Sequence, residues 1–388
     1  MASPTDGACA DLSNSNNVLA ELENDLRFLG FAGPADLPKL IYLVMQTRLS
    51  PKPVSLVIKG PSGSGKSFAL SQVLKFIPQK NYEYFSGMSE KAILYSGLNL
   101  KNKHLVIGEA AGLAAGDGRA FLRQLLSEGE IKYMTVQKTD KGLTGTQLPA
   151  IEGPTGLIMT TTANALHPED ESRMLSLNMP ESAEQIRLAL LAMADQTKVE
   201  KPIDFSRWHE FDDRISEGCT KVIVPFARRI AEALPLTHMR VQRDFPQLLA
   251  LVSSHALLHK CNRSTNDDGT IIAKLEDYDA VYHLVNKPFS EGLETAVPEN
   301  IRRLVDAVSE LGGAEPQRYA FDGCITQRML ADKVGRDHSA VSRALSAAIT
   351  QGYLQDLNPG QGKQSSIVLG ERELPRGYAL PTLEYLTT

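Results

Sequence analysis

Residues 54–67 read Val54-Ser55-Leu56-Val57-Ile58-Lys59-Gly60-Pro61-Ser62-Gly63-Ser64-Gly65-Lys66-Ser67, and this stretch decides the fold. The run Val54–Lys59 predicts a short apolar strand, and from Ser67 to Phe76 the apolar positions return at helical spacing. Between them Gly60-x-x-x-x-Gly65-Lys66-Ser67 satisfies the phosphate-loop pattern in its confirming context, with a strand before and a helix after. Gly60, Gly63 and Gly65, with Pro61, Ser62 and Ser64, let the backbone curl so that successive amide N–H groups point at phosphate oxygens. The helix adds the positive end of its dipole. Lys66 is expected to reach the outer phosphates as a mobile charge, the Ser67 hydroxyl to ligate Mg²⁺, and Phe68 to complete the cradle for ATP.

Hydrolysis needs a carboxylate at the tip of another strand to polarise water. His104-Leu105-Val106-Ile107-Gly108-Glu109 supplies one. A strand ending in Asp-Glu would match better; Gly108 stands where that Asp would be, so Glu109 is expected to be the general base and the metal to lean on Ser67, phosphates and water. Leu105–Ile107 predicts a second buried strand and Gly156–Thr162 a third. Helices are expected over Val18–Phe28 and Pro38–Thr47. Strands alternating with helices predict an α/β fold, with a mainly parallel sheet covered on both faces. The 388 residues suggest two or three units. They divide into a flexible lead (1–17), an ATPase core (18–180), a helical block (181–290), a C-terminal domain (296–372) and a tail (373–388).

With 42% hydrophobic and 22% charged residues the composition is that of an ordinary soluble chain, with no membrane-length apolar run. The polar N-terminus lacks a basic-then-apolar secretion signal, which points to a cytoplasmic protein. Cys9, Cys219, Cys261 and Cys324 are scattered, without zinc spacing, and read as reduced thiols. A net charge of −5 does not advertise nucleic-acid binding, although a local basic surface can bind phosphates on an acidic protein.

After Glu109 comes an amphipathic helix, Arg119–Glu128, and then Ile131–Leu148, two alternating stretches flanking Lys138-Thr139-Asp140-Lys141-Gly142, which predict a β-hairpin. From about Val54 to Leu258 this order of elements resembles an AAA+ P-loop NTPase, specifically the minichromosome-maintenance-like helicases of phages and mobile elements. The resemblance implies that the hairpin is the pre-sensor-1 hairpin, which points into a ring pore and grips DNA through Lys138 and Lys141; the alternative is a solvated hairpin whose lysines keep an edge soluble. It implies a polar sensor at the end of the third strand, either Thr162 or Asn164. It implies that Glu171-Ser172-Arg173 carries an arginine finger, Arg173, acting in a neighbouring subunit's nucleotide site; the alternative is an intrachain salt bridge to Glu169 or Glu171. It implies a homo-oligomer, a hexameric ring in this family. The helical block then resembles the lid, with Arg243, preferred to Arg240, as the second sensor.

Near the C-terminus Thr326–Leu354 reads as a helix capped by Thr326, a turn at Gly335 and a second helix, with Leu330, Ala331, Val334, Val341, Leu345 and Ile349 facing a core. Asn358–Gln364 can turn one short strand back into Ser366–Leu369. This resembles a winged helix-turn-helix. Its second helix would offer Ser339, Ser342 and Arg343 to DNA, with Arg336 and His338 at its start and Lys363 in the wing; many such domains bind proteins instead. The combined expectation is an oligomeric, ATP- and Mg²⁺-dependent DNA motor, a helicase or replication ATPase of a mobile element that works with other replication proteins. Two alternatives are an ATP-switched DNA-binding regulator or initiator, and a signalling scaffold whose winged helix binds protein.

Overall fold

The computed structural model describes residues 9–89, 92–109, 118–139, 142–162, 168–179, 183–195, 203–234, 239–295, 297–312, 325–360, 365–374 and 380–387. The chain divides into two compact units. One comprises Met1–Leu234, Gln242–Phe289 and Ala379–Thr388; the other comprises Pro235–Val241 and Ser290–Tyr378.

The first unit is built on a five-stranded parallel sheet. Its spatial order is Tyr82–Phe85, Lys103–Ile107, Thr155–Thr161, Leu56–Lys59, Leu175–Asn178. The central strands are buried at every residue of Leu56–Lys59 and Thr155–Thr161, as a parallel sheet covered on both faces requires. Val57, Leu105, Ile107, Leu157 and Met159 share one core with Leu122 and Leu125 of the helix Gly118–Glu128. The helix Lys66–Leu74 packs on Asp36–Gln46. The helix expected at Val18–Phe28 has those bounds because Asn17 caps it, its side chain accepting from the Ala20 amide at 2.9 Å.

Several parts differ from the expectation. The two flanking strands were not among those read from the sequence. Each has only four residues, and Leu175-Ser-Leu-Asn178 mixes polar with apolar positions. Residues 10–14, placed in the flexible lead, form a helix with Leu12 fully buried. Leu383–Thr387, in the expected tail, is also helical, with Leu386 buried. The helical block contains Ala183–Asp195, Ser206–Ser216, Ala227–Ala233, Val241–Leu258 and Leu275–Thr295, but also a two-stranded parallel ladder, Val222–Ile223 with Ile271–Ile272. Among its helices, Ser206–Ser216 buries Trp208, Phe211, Asp212 and Ile215 at helical spacing. Trp208 meets Tyr42 and Phe76 edge-on at 5.6 and 5.3 Å, and its indole N–H donates to Asp25 at 2.7 Å.

In the second unit the helices Glu299–Gly312, Gln327–Val334 and His338–Thr350 enclose a core that includes Leu304, Leu330, Val341, Leu345 and Tyr353. Thr326 caps the first of the paired helices through the Met329 amide at 3.2 Å, and Gly335 ends it at φ 62°, where a side chain would be strained. Asp337 caps the next. Leu354–Asp356 pairs antiparallel with Ile367–Leu369.

Candidate nucleotide-binding site

The parallel sheet gathers its strand ends at one edge. Register sets Lys59 opposite Thr161 and Ile107 opposite Met159. The chain therefore leaves the sheet at Gly60, Gly108–Glu109 and Thr162 at nearly one level, with the threonine strand between the other two. Adjacent strands lie about 4.8 Å apart, so the loop and the carboxylate are separated by about two strand spacings, room for a phosphate group between them.

In the loop, Gly63 and Gly65 adopt φ 82° and 86°, conformations that favour glycine, and Gly65 caps the helix that begins at Lys66. At Gly60 a Cβ would approach the Met179 Cβ to 2.9 Å, so glycine is needed there for space as well. The loop is tied to the sheet by the Gly60 amide, which donates to Thr161 O at 3.3 Å. Pro61, Ser62, Gly63, Gly65, Ser67 and Phe68 are exposed, whereas Lys66 is buried. Its ammonium donates to Gly60 O at 2.7 Å, Pro61 O at 2.6 Å and Ser64 Oγ at 3.3 Å. Burial lowers the Lys66 pKa, and the negative charge of Glu109 opposes that shift. The lysine thus rests on neutral acceptors of its own loop. Anionic phosphate oxygens would bind it through charge-assisted bonds, which are roughly twice as strong as neutral ones.

Glu109 is exposed at its strand tip, and its amide donates to Ser86 O at 2.9 Å. A Cβ at Gly108 would lie 2.6 Å from the Tyr84 hydroxyl, the outer end of an exposed side chain. Thr160 holds this corner, its hydroxyl donating to Gly108 O. The exposed Ser67 hydroxyl and the Glu109 carboxylate are hard oxygen donors that fit Mg²⁺, with phosphates and water filling most of its octahedral shell. When bound, the ion would offset charge on the outer phosphates. Phe68 leaves the loop to lie parallel to Phe31, with ring centroids 6.1 Å apart and planes at 2°.

Thr162 is exposed just beyond the third strand; Asn164 lies outside the described residues. The two arginines expected around the site are brought to one turn. Arg173 Nε donates to Ser127 Oγ at 3.0 Å, and Arg243 donates to Ser172 Oγ at 2.5 Å. Glu171, weighed as a partner of Arg173, accepts instead from Lys59 and Ser176. The pairing of Lys59 with Glu171 was not read from the sequence. The available signal was a lysine closing an otherwise apolar buried strand. Arg240 is buried in the second unit beside Gly292.

The hairpin forms as expected, Met134–Thr139 pairing with Gly142–Gln147. Lys138 is exposed and Lys141 lies outside the described residues. Met134, Val136 and Leu143 are also exposed on it. In the second unit Arg336, His338, Ser339, Ser342 and Arg343 are exposed, and Lys363 lies outside the described residues. The Ser339 hydroxyl donates to Asp337 at 2.5 Å, so it serves the helix cap.

One cluster has metal-ligand residue types, His255, His259 and Asp277. Both nitrogens of His259, Nδ1 of His255 and the Asp277 carboxylate are already engaged. His259 Nδ1–H donates to His255 O at 3.0 Å and its Nε2 accepts from the Val18 amide at 3.3 Å. Asp277 takes Arg263, His255 and the Lys274 amide. The cluster is a structural polar network.

A family model described as the MTBMA_p00010 P-loop domain matches residues 39–203, less than half of the chain. No curated protein matches. Among solved structures, NtrX from Brucella abortus in complex with ADP is 14% identical, with 84% of this chain and 72% of that one covered at a TM-score of 0.28. A full-length MCM homolog from Methanopyrus kandleri is 15% identical, with 74% and 60% covered at a TM-score of 0.39. Likeness at these scores is partial. With the loop, the sheet and the matched region agreeing, the chain carries an α/β P-loop domain shaped to hold a nucleoside triphosphate. Among the described residues no helix is long and apolar enough to cross a membrane.

Proposed function

We propose that this chain is an ATP- and Mg²⁺-dependent AAA+ ATPase that acts as an oligomeric motor on DNA. The observation that carries the reading is the single sheet edge where the Lys66 loop and the Glu109 strand tip flank a threonine-ended strand. There a triphosphate bound at Lys66 has the Glu109 carboxylate across the same edge to orient and deprotonate water, and Thr162 at that edge, or Asn164, would hold that water. Arg173 sits on the turn that also holds Arg243 through Ser172, and would act in a neighbour's site. Lys138 and Lys141 on the hairpin would meet DNA phosphates, as would Arg336, Ser342, Arg343 and Lys363 of a winged-helix-like second unit; the Ser339 hydroxyl, committed to its cap, contributes least.

A second reading is an ATP-switched regulator or initiator that does not unwind. It is favoured by the exposed Met134, Val136 and Leu143 of the hairpin, which suit a protein partner as well as a pore. The test is ATP turnover of the full chain and its Lys66→Ala variant, with and without single-stranded and duplex DNA, beside a mass measurement in nucleotide. Turnover that is lost in Lys66→Ala, rises with DNA and accompanies an oligomer supports the motor. Turnover indifferent to DNA supports the second reading, and turnover unchanged in Lys66→Ala refutes the site.

A further inference from the structure

We infer that the buried Lys59–Glu171 ion pair is a positioning device that makes the Ser172–Arg173 turn follow the state of the phosphate loop. The inference rests on the reading that residues 60–67 hold phosphate.

Lys59 is the last residue of the loop-bearing strand, one position before Gly60, and is buried after Leu56, Val57 and Ile58. Its carbonyl accepts from the Met179 amide at 2.8 Å, and its ammonium donates to Glu171 Oε1. That same oxygen accepts from Ser176 Oγ at 3.0 Å, so the carboxylate is held from two sides. Glu171 then leads directly into the turn. The Met174 amide donates back to Glu171 O at 3.2 Å, the Arg173 amide to Asp170 O at 3.1 Å, and Ser172 carries Arg243. One carboxylate thus joins the root of the phosphate loop to a turn bearing two arginine contacts.

Stability alone does not account for this pair. Taking two charges out of water is expensive, and a well-packed apolar pair of similar volume serves stability as well or better. The three strand positions before Lys59 are apolar or buried without charge. What distinguishes position 59 is its place beside a loop that gains several negative charges when a triphosphate arrives. That field competes with Glu171 for the Lys59 ammonium, because charges interact strongly where burial keeps water away. A change in how tightly the pair closes moves Glu171, and the turn moves with it.

The experiment uses the full chain with Lys59→Met, Glu171→Leu and the double variant. Each single substitution strands a buried charge and lowers both the melting temperature and turnover. In the double variant the melting temperature returns, the KM for ATP stays within about threefold of the parent, and kcat remains at least about tenfold down. A double variant that regains kcat along with melting temperature overturns the proposal, since the pair is then only structural. A second measurement needs no variant to fold. Amide exchange of the unaltered chain is compared with and without saturating ADP and Mg²⁺. Protection at residues 60–67 together with faster exchange at 171–176 is expected; exchange at 171–176 that does not change while 60–67 is protected overturns the proposal. If the unaltered chain holds no ADP, the phosphate-loop reading itself falls, a result distinct from either of these.

Discussion

Acidification to pH 5 should cost the first unit much of its stability through two histidines. His104 is fully buried, its Nε2–H donating to Val54 O at 3.2 Å while Nδ1 has no partner among the described residues. Burial pushes its pKa down to about 4. His259 is likewise lowered to about 4, first by burial and then by His255. Protonating its Nε2 would turn the acceptor of the Val18 amide into a donor facing a donor. A lowered histidine pKa means that the folded state prefers the neutral ring. The unfolded chain takes up its proton first, so stability is unaffected above pH 6.5 and falls as pH drops from about 6.5 to about 4. At pH 5 each histidine costs about 2 kcal/mol, the pair about 4 kcal/mol, against a typical domain stability of about 5–15 kcal/mol. Trp208, the only tryptophan of the chain and fully buried in this unit, reports the unfolding. Urea titrations at pH 7, 6 and 5 followed by its fluorescence should show a falling midpoint. In His259→Gln, which keeps an acceptor for Val18, the pH dependence should be about halved. A midpoint that stays level from pH 7 to 5 would refute the reasoning.

Two further outcomes test the proposed motor. Arg173→Ala protein mixed with Lys66→Ala protein should regain ATP turnover, each supplying what the other lacks; steady-state phosphate release that stays at background argues against a finger acting between subunits. Lys138→Ala/Lys141→Ala should lower DNA-stimulated hydrolysis several-fold and leave basal hydrolysis intact, whereas equal loss of both points to a folding role.

Much of the candidate site was legible from short-range pattern. The strand, the glycines and the Lys66-Ser67 pair lie within fourteen consecutive residues, and their geometry is imposed by backbone chemistry that local sequence controls. Glu109 was legible because an apolar strand ended on a carboxylate, and the capped helices at Val18 and Gln327 because their caps are single side chains next to the first turn. The flanking strands Tyr82–Phe85 and Leu175–Asn178 were not, since four residues of mixed polarity become strands only by pairing with neighbours already in the sheet.

The sequence by itself determined that a phosphate loop joins a buried strand to a helix, because every group that shapes the loop is a near neighbour along the chain. Only the tertiary structure decided which distant groups share that edge. The strand order inserts Thr155–Thr161 between Lys59 and Glu109. It also sets Glu171 on Lys59, 112 residues away, and Arg243 on Ser172. Such pairings depend on which strand neighbours which and on burial excluding water from competing, and neither is written in any short stretch of residues.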